Sequence, residues 1–165
     1  MRAFVLAVMA IVAVGLGSCS KFKSYDGPEV TRIVVMKSAR QMLLYHHDTV
    51  LKAYKVDLGF TANGPKQFEG DGKTPEGRYF IDRRNPNSAF HLSLGISYPN
   101  AEDRAFAREQ GKSPGGDIFI HGRSASFFAP RRSADWTAGC IAVSNREMEE
   151  IYAMVGIGTP IDIFP

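Results

Sequence analysis

The segment from Thr31 to Gly59 constrains the fold most, because it consists almost entirely of short runs of β-branched and apolar residues. The run TRIVVMK is followed by the turn-like SARQ, and MLLYHHDTVLKAYKVDLG contains two more such runs around a His-His-Asp-Thr turn. Runs of this composition, bounded by polar turn residues, are typical of strands. The segment therefore predicts a β-meander.

The rest of the chain continues this pattern, with two interruptions. RYFIDRR, FHLSLGISYP, DIFIHG and TPIDIF are further strand-like runs, and a loop rich in Pro and Gly precedes the first of them. Asn100 is the predicted N-cap of a helix in NAEDRAFAREQG, and Ser144 with Glu147 forms the capping box of a second helix. The apolar stripe of the second helix consists of Met148, Ile151, Tyr152 and Val155. These patterns predict a mainly β fold with one or two short helices.

Length and charge narrow the class of protein. At 165 residues the chain is long enough for one domain with a substantial core and too short for two of ordinary size. The formal net charge is +3, and acidic and basic residues are interleaved. Nucleic-acid-binding domains usually carry a clustered basic face, so this pattern argues against a nucleic-acid partner. It is compatible with an anionic polymer or a carboxylate-bearing substrate.

The N-terminus has the features of an export signal. Met1-Arg2 supplies a positive charge, and the fourteen residues from Ala3 to Leu16 are almost wholly apolar. Because a membrane-spanning helix needs about 20 residues, this stretch predicts a signal peptide over residues 1–18 instead. Residues 19–30 are polar and contain Gly27-Pro28, so we expect a short tether there, followed by one domain at residues 31–165.

LGSC, from Leu16 to Cys19, resembles the lipobox at which bacterial signal peptidase cuts before a cysteine that receives acyl chains. The resemblance implies a periplasmic protein held to a membrane by lipid at Cys19, and Ser20 favours the outer membrane. The alternative is an ordinary cleavable signal with a chance cysteine. An acylated Cys19 cannot form a disulfide, so Cys140, the other cysteine of the chain, is expected to be an unpaired thiol in an oxidising compartment.

Cys140 and His121 are the candidate catalytic pair. A thiol is a strong nucleophile only as the thiolate, and an adjacent imidazole can accept its proton. His121 ends the apolar run DIFIHG, where a loop leaves a predicted strand. Gly139, directly before the thiol, permits close approach of a substrate, and the amides around it could receive an oxyanion. A structural zinc site needs four ligands, which the sequence does not supply together, so no metal is expected.

The residues around this pair resemble the L,D-transpeptidase (YkuD-type) catalytic domain. IHG at residues 120–122 and TAGCIAVSN at residues 137–145 match that family's signature, in which a histidine, a spacer and a Ser or Thr precede Gly-Cys. GDGKTPEGRYFI, KSARQMLLY, VDLG and LGISYPN are also similar to family segments. The likeness extends over nearly the whole chain after the tether, and it implies a β-sandwich with mixed sheets.

The resemblance also implies the roles of individual residues. Cys140 is the implied nucleophile and His121 its general base, and no metal or organic cofactor is implied. Gly139, Gly122 and Thr137 have implied oxyanion or positioning roles.

Two positions depart from the family pattern. Ala138 stands where the family usually has histidine, and Ala142 stands where it has Arg or Asn. Both departures bear on how a substrate is oriented, and both leave the pair of Cys140 and His121 intact.

Arg123, Arg132 and Trp136 lie between the catalytic candidates in the sequence and are candidate substrate-binding residues. Arginines there could bind stem-peptide carboxylates, although charged loop residues are usually only solvated, and packing explains Trp136 equally well. The implied activity is acyl transfer on peptidoglycan tetrapeptide stems, through a thioester that an amine resolves. The alternatives are an L,D-carboxypeptidase or endopeptidase that uses water, and an inactive peptidoglycan-binding protein.

Overall fold

The computed structural model describes residues 20–124 and 134–165. The predicted signal peptide, Cys19 and Arg132 lie outside the described residues. The helices are α1 (Ala101–Glu109) and α2 (Asn145–Met154). The strands are β1 (Arg32–Met36), β2 (Gln41–His46), β3 (Thr49–Lys55), β4 (Gly77–Asn85), β5 (Ser93–Ile96), β6 (Phe119–His121), β7 (Ile141–Ala142) and β8 (Pro160–Phe164).

The strands form one sheet in the order β3-β2-β1-β8-β4-β5-β6-β7. β1 pairs with β8 and β6 with β7 in parallel, and the other neighbours are antiparallel. β4 pairs with β8 through its first residues and with β5 through its last, and its register with β5 is irregular between Ile81 and Arg83. Such an irregularity bends and twists a strand. The mainly β prediction is confirmed, and the two layers of the predicted sandwich are halves of one curled sheet.

Two isolated bridges connect the ends of this strand order. Asp57, just after β3, pairs with Ala142 of β7, and Gly59 pairs with Thr137. The residues that follow one edge strand therefore contact the other edge strand and the turn before it. Curling of the sheet brings together two segments of the chain that lie at opposite ends of the strand order.

The two predicted helices are present, each with its capping box. α1 begins after Asn100 and lies on the surface, with Ala107 as its buried residue. α2 begins after Ser144 and packs on β5 and β6. Three members of the predicted stripe, Met148, Ile151 and Tyr152, are buried on α2, and Val155 is buried as the extended residue directly after the helix. Among the described residues, neither helix is long and apolar enough to cross a membrane.

One predicted strand is shorter than expected. FHLSLGISYP, at residues 90–99, was expected to be extended throughout, whereas β5 begins at Ser93. His91 has a φ of 76°, in the left-handed region that an L-residue rarely adopts. The chain therefore turns sharply at His91 before it enters the sheet.

Residues 20–30, which we call the N-terminal strap, have no regular secondary structure but lie against the domain. Lys21 Nζ donates to the carbonyl oxygens of Pro86, at 2.6 Å, and His91, at 3.2 Å. Lys23 forms an ion pair of 3.4 Å with Glu149 of α2. The segment predicted as a tether is thus packed on α2 and on the connection between β4 and β5.

Candidate active site

The parallel pair of β6 and β7 positions Cys140 and His121. His121 ends β6 opposite Ala142 of β7. The same register places Cys140, directly before β7, beside Phe119. Alternate residues of a strand share a face and lie about 6.6 Å apart, and neighbouring strands are about 4.8 Å apart. The register therefore assigns the thiol and the imidazole to one face of two adjacent strands.

The Cys140 thiol contacts the backbone of β6 and of the residues before it. Its Sγ accepts a hydrogen bond from the Phe119 amide at 3.4 Å and donates to the Asp117 carbonyl at 3.5 Å. Burial raises the pKa of the Cys140 thiol above its ordinary value, and this effect exceeds the lowering by the Phe119 amide. The resting residue is therefore a protonated thiol at neutral pH.

The His121 imidazole is buried and oriented by the backbone. Its Nδ1 lies 2.6 Å from the carbonyl oxygen of Gly122, and His121 as a whole is 3% exposed. A carbonyl only accepts, so Nδ1 carries the proton and the lone pair of the neutral ring is on Nε2. The rings of Phe90 and Trp136 lie 4.6 Å and 5.7 Å from the imidazole, measured between centroids. Aromatic surface thus encloses the histidine on two sides.

The turn before the thiol is held by Thr137 and shaped by Gly139. Thr137 Oγ1 donates to the Cys140 carbonyl at 2.7 Å and accepts from the Gly139 amide at 3.2 Å. Gly139 has a φ of 134°, and a Cβ there would lie 2.6 Å from the Lys73 carbonyl oxygen. Only glycine fits this position. The Gly139 amide already has an acceptor in this arrangement.

Gly122 is a second position of close packing. A Cβ there would lie 2.6 Å from Asn145 Oδ1 and 2.9 Å from the Phe90 carbonyl oxygen. Asn145 Oδ1 accepts from the Arg123 amide at 2.6 Å, which fastens the chain after His121 to the start of α2. Asn145 was not predicted from the sequence. Its place directly after the capping Ser144 puts it at the start of α2 and could have indicated it.

Arg123 and Trp136, two candidate substrate-binding residues, converge on one carboxylate. Asp57 Oδ2 accepts from Arg123 Nη2 and from Trp136 Nε1, each at 3.1 Å. Arg123 therefore has an intramolecular anion, although its side chain remains 53% exposed. Trp136 presents its ring to His121, as a pocket wall would. Asp57 was not identified from the sequence, because nothing local distinguishes it from the other acidic residues.

Asp135 anchors the beginning of the segment that leads to Cys140. Its carboxylate accepts from Arg40 Nε and Nη2, at 2.6–3.0 Å, and from the Leu58 amide at 3.0 Å. Burial alone would raise the pKa of Asp135, but these hydrogen bonds outweigh burial and lower it below its ordinary value. Asp135 therefore fixes the start of this segment through Arg40 and the backbone of Leu58.

The two departures from the family pattern lie in different surroundings. Ala138 is exposed, whereas Ala142 is 1% exposed. Ala142 exchanges two backbone hydrogen bonds with Asp57, of 2.8 and 2.9 Å. A longer polar side chain at residue 138 would extend into solvent. At residue 142 it would have to displace packed neighbours.

The chain matches a known protein family over most of its length. The model of the YkuD L,D-transpeptidase catalytic domain matches residues 30–163. YafK of Escherichia coli (strain K12), whose name assigns it provisionally to the L,D-transpeptidases, is 33% identical over 129 residues, covering 74% of this chain and 46% of YafK. The chain thus spans about half the length of the curated relatives it matches.

Solved structures show the same fold. The helical cell shape determining protein Pgp2 from Campylobacter jejuni superposes with a TM-score of 0.63 at 25% identity, covering 89% of this chain and 51% of Pgp2. Bd1075 of Bdellovibrio bacteriovorus gives 0.60 at 25% identity, covering 87% and 50%. The predicted resemblance is confirmed: the chain belongs to the family of YkuD-type L,D-transpeptidase catalytic domains.

Proposed function

We propose that this protein catalyses acyl transfer on peptidoglycan stem peptides, with Cys140 as the nucleophile and His121 as the general base. The observation that carries the proposal is the hydrogen bond from His121 Nδ1 to the Gly122 carbonyl. It leaves the lone pair on Nε2, and the register of β6 and β7 assigns this ring to the face of the thiol. Nε2 is then the atom that takes the thiol proton.

The raised pKa of Cys140 determines when this proton moves. A half-buried thiol whose pKa is raised and which donates to a carbonyl is not a stored thiolate. Proton transfer to His121 therefore accompanies attack on the substrate, as in general-base catalysis. A protonated resting thiol is also less exposed to adventitious oxidation, since the thiolate is the reactive species.

The first half-reaction forms a thioester. Sγ attacks the carbonyl carbon before the terminal D-amino acid of a tetrapeptide stem, the carbonyl π electrons move to oxygen, and the thiol proton passes to His121. The tetrahedral intermediate then collapses. The C–N bond breaks, His121 gives its proton to the leaving amine, and the acyl group remains on Cys140. In the second half-reaction, an acceptor amine attacks the thioester and displaces Sγ. His121 takes the proton that this amine loses and returns it to Sγ, which restores the thiol.

The developing oxyanion needs donors at the turn before the thiol. The Gly139 amide donates to Thr137, so we assign the oxyanion contact to the Cys140 amide instead. Thr137 accepts from the Gly139 amide and donates to the Cys140 carbonyl, so it holds the peptide planes on both sides of the one that carries the Cys140 amide. Oriented donors of this kind need no reorganisation during the reaction, which is the origin of their effect.

Transfer competes with hydrolysis, because water can also resolve the thioester. The rings of Phe90 and Trp136 surround the base that would activate either acceptor. An apolar surrounding limits access of water and favours an amine that the site binds and orients. We therefore propose a transferase, with L,D-carboxypeptidase or endopeptidase activity as the second candidate. Phe127 and Phe128, which could add apolar cover, lie outside the described residues.

The experiment that tests the proposal incubates purified protein with disaccharide-tetrapeptide, with and without D-methionine, and resolves the products by mass. Crosslinked dimers, or exchange of the terminal D-amino acid for D-methionine, are the expected products. Tripeptide alone, unchanged by added amine, would assign the protein to the carboxypeptidases. The Cys140→Ala variant is the blank, and a wild type that gives no more product than this blank would support the inactive binding protein.

We place this activity in the periplasm, on a protein that Cys19 anchors to the outer membrane. The apolar segment over residues 3–16 and the lipobox-like LGSC support this location. Pgp2 is described as determining helical cell shape. We propose that acyl transfer on peptidoglycan gives this protein, too, a role in cell-wall organisation and cell shape.

A further inference from the structure

The strap residue Lys21 reaches the connection between β4 and β5. Its ammonium donates to the carbonyl oxygens of Pro86, at 2.6 Å, and His91, at 3.2 Å. These residues bound the segment 86–91, and the two carbonyls are 65 and 70 positions away from Lys21 in the sequence. Hydrogen bonds from a cation are roughly twice as strong as neutral ones. Lys21 thus clamps both ends of this segment.

The clamped segment carries the aromatic ring that lies on the catalytic histidine. Phe90 is 4.6 Å from the His121 imidazole, between ring centroids, and 6.1 Å from Trp136. The Gly122 amide donates to the carbonyl of Leu92 at 3.3 Å, so the backbone beside His121 is attached to the same connection. A displacement of segment 86–91 would therefore move both the ring and the backbone that orient His121.

The conformation of this segment requires support from outside. His91 has a φ of 76°, and a residue other than glycine remains in that region only where its surroundings hold it there. Two contacts hold it: Lys21 on its carbonyl, and Glu149 Oε1 at 2.9 Å from its Nε2. The strap and α2 together supply this support, because Lys23 of the strap also pairs with Glu149.

We propose that Lys21 is a positioning residue for His121 and acts through segment 86–91 and Phe90. The N-terminal strap is then a functional part of the catalytic domain, and the segment that would follow a lipid-bearing Cys19 also sets the geometry of the active site. The proposal rests on the proposed function only in taking His121 as the base for Cys140.

Three variants and a control test the proposal. Lys21→Met keeps the aliphatic stem and removes the donors, Lys21→Gln keeps donors without charge, and Lys21→Arg keeps both. Lys52→Met is the control, since Lys52 is a lysine that forms an ion pair of 3.5 Å with Glu150 of α2 and has no described contact with segment 86–91. Trp136 is the single tryptophan of the chain and lies against both Phe90 and His121, so its emission reports on this cluster.

Lys21→Met should slow iodoacetamide labelling of Cys140 and lower kcat by about tenfold, with KM changed far less, since misplacing a catalytic group by a fraction of an ångström has effects of this size. Its Trp136 emission should shift to longer wavelength and become more accessible to acrylamide. Lys21→Arg should restore both readouts, with Lys21→Gln between them, and Lys52→Met should match wild type.

Unchanged labelling and emission in Lys21→Met would overturn the proposal, as would a loss that Lys52→Met shares. If Lys21→Met does not fold, the order of the Gln and Arg variants decides. Labelling and emission need no turnover, so failure of the transferase assignment is a separate result.

Discussion

Asp57 and Ala142 exchange two backbone hydrogen bonds, from the Asp57 amide at 2.9 Å and from the Ala142 amide at 2.8 Å. Asp57 follows the strand at one end of the sheet, and Ala142 belongs to the strand at the other end. The Asp57 side chain accepts from Arg123 and Trp136, which flank His121. The active site therefore lies where the curled sheet meets itself, and one residue joins the backbone contact to the side chains around the histidine.

The catalytic pair predicts a non-additive loss of reactivity. Cys140→Ala should abolish turnover, and His121→Ala should slow labelling of Cys140 and turnover by about 10²- to 10⁴-fold, the usual contribution of a general base. The double variant should be no worse than Cys140→Ala, because the two residues act as one unit. His47→Ala, in the exposed turn between β2 and β3, is the control. Equal labelling rates in wild type and His121→Ala would show that the imidazole does not activate the thiol.

The raised pKa of Cys140 predicts a loss of stability at alkaline pH. The folded protein holds the thiol proton more tightly than the unfolded chain does, so this contribution to the free energy of unfolding is complete below the ordinary thiol pKa of about 8.5. It is lost as pH rises from there through the higher pKa of the folded state. Cys140→Ser lacks this titration. Urea unfolding of both proteins between pH 7 and 11 should show wild type losing stability relative to Cys140→Ser, and parallel curves would contradict the assignment.

Gly139 predicts a steric requirement beside the nucleophile. Gly139→Ala should destabilise the fold by about 2 kcal/mol or more and suppress Cys140 labelling, because its Cβ would lie 2.6 Å from the Lys73 carbonyl oxygen. Gly111→Ala is the matched control, since Gly111 also has a positive φ, of 64°, but nothing within 4 Å of the added Cβ. Thermal unfolding and labelling rates measure both effects. Similar losses in the two variants would mean that backbone strain alone accounts for the Gly139 requirement.

Introducing the family's usual residue should be tolerated at Ala138 and should destabilise the protein at Ala142. Ala138→His should fold normally and change turnover only modestly, since residue 138 is exposed and His121 already supplies the base. Ala142→Asn should destabilise the protein by about 1–3 kcal/mol, because it inserts polar volume at a buried site next to Asp57. Melting temperatures and turnover of the two variants measure this difference. An inactive wild type rescued by Ala138→His would identify a decayed enzyme instead.

The sequence at residues 16–19 predicts lipid attachment. Cys19→Ala should release the protein from membrane fractions, because it removes the thiol that would carry the acyl chains. Fractionation followed by immunoblotting measures this release, and intact-mass analysis should find Cys19 as an acylated N-terminus in the wild type. An unmodified N-terminus produced by cleavage at another position would remove the lipoprotein assignment.

The sequence by itself determined most of the local structure and indicated the candidate catalytic pair. Strand composition, the N-cap at Asn100, the capping box at Ser144 and the stripe on α2 are properties of neighbouring residues. The structure confirms both caps and most of the stripe, and it shortens the strand expected at residues 90–99. The family signature around His121 and Cys140 was equally readable, because motifs of this kind occupy few positions in fixed order.

Tertiary structure alone decided which residues support that pair. Asp57, Arg40 and Lys21 bind partners that lie 65 to 95 positions away along the chain. A single acidic or basic residue carries no local sign of its distant partner, since the pattern of a strand or a helix records only which face is buried. The curling of the sheet brings Asp57 to Ala142, and the Asp57 carboxylate accepts from Trp136, whose ring lies against His121.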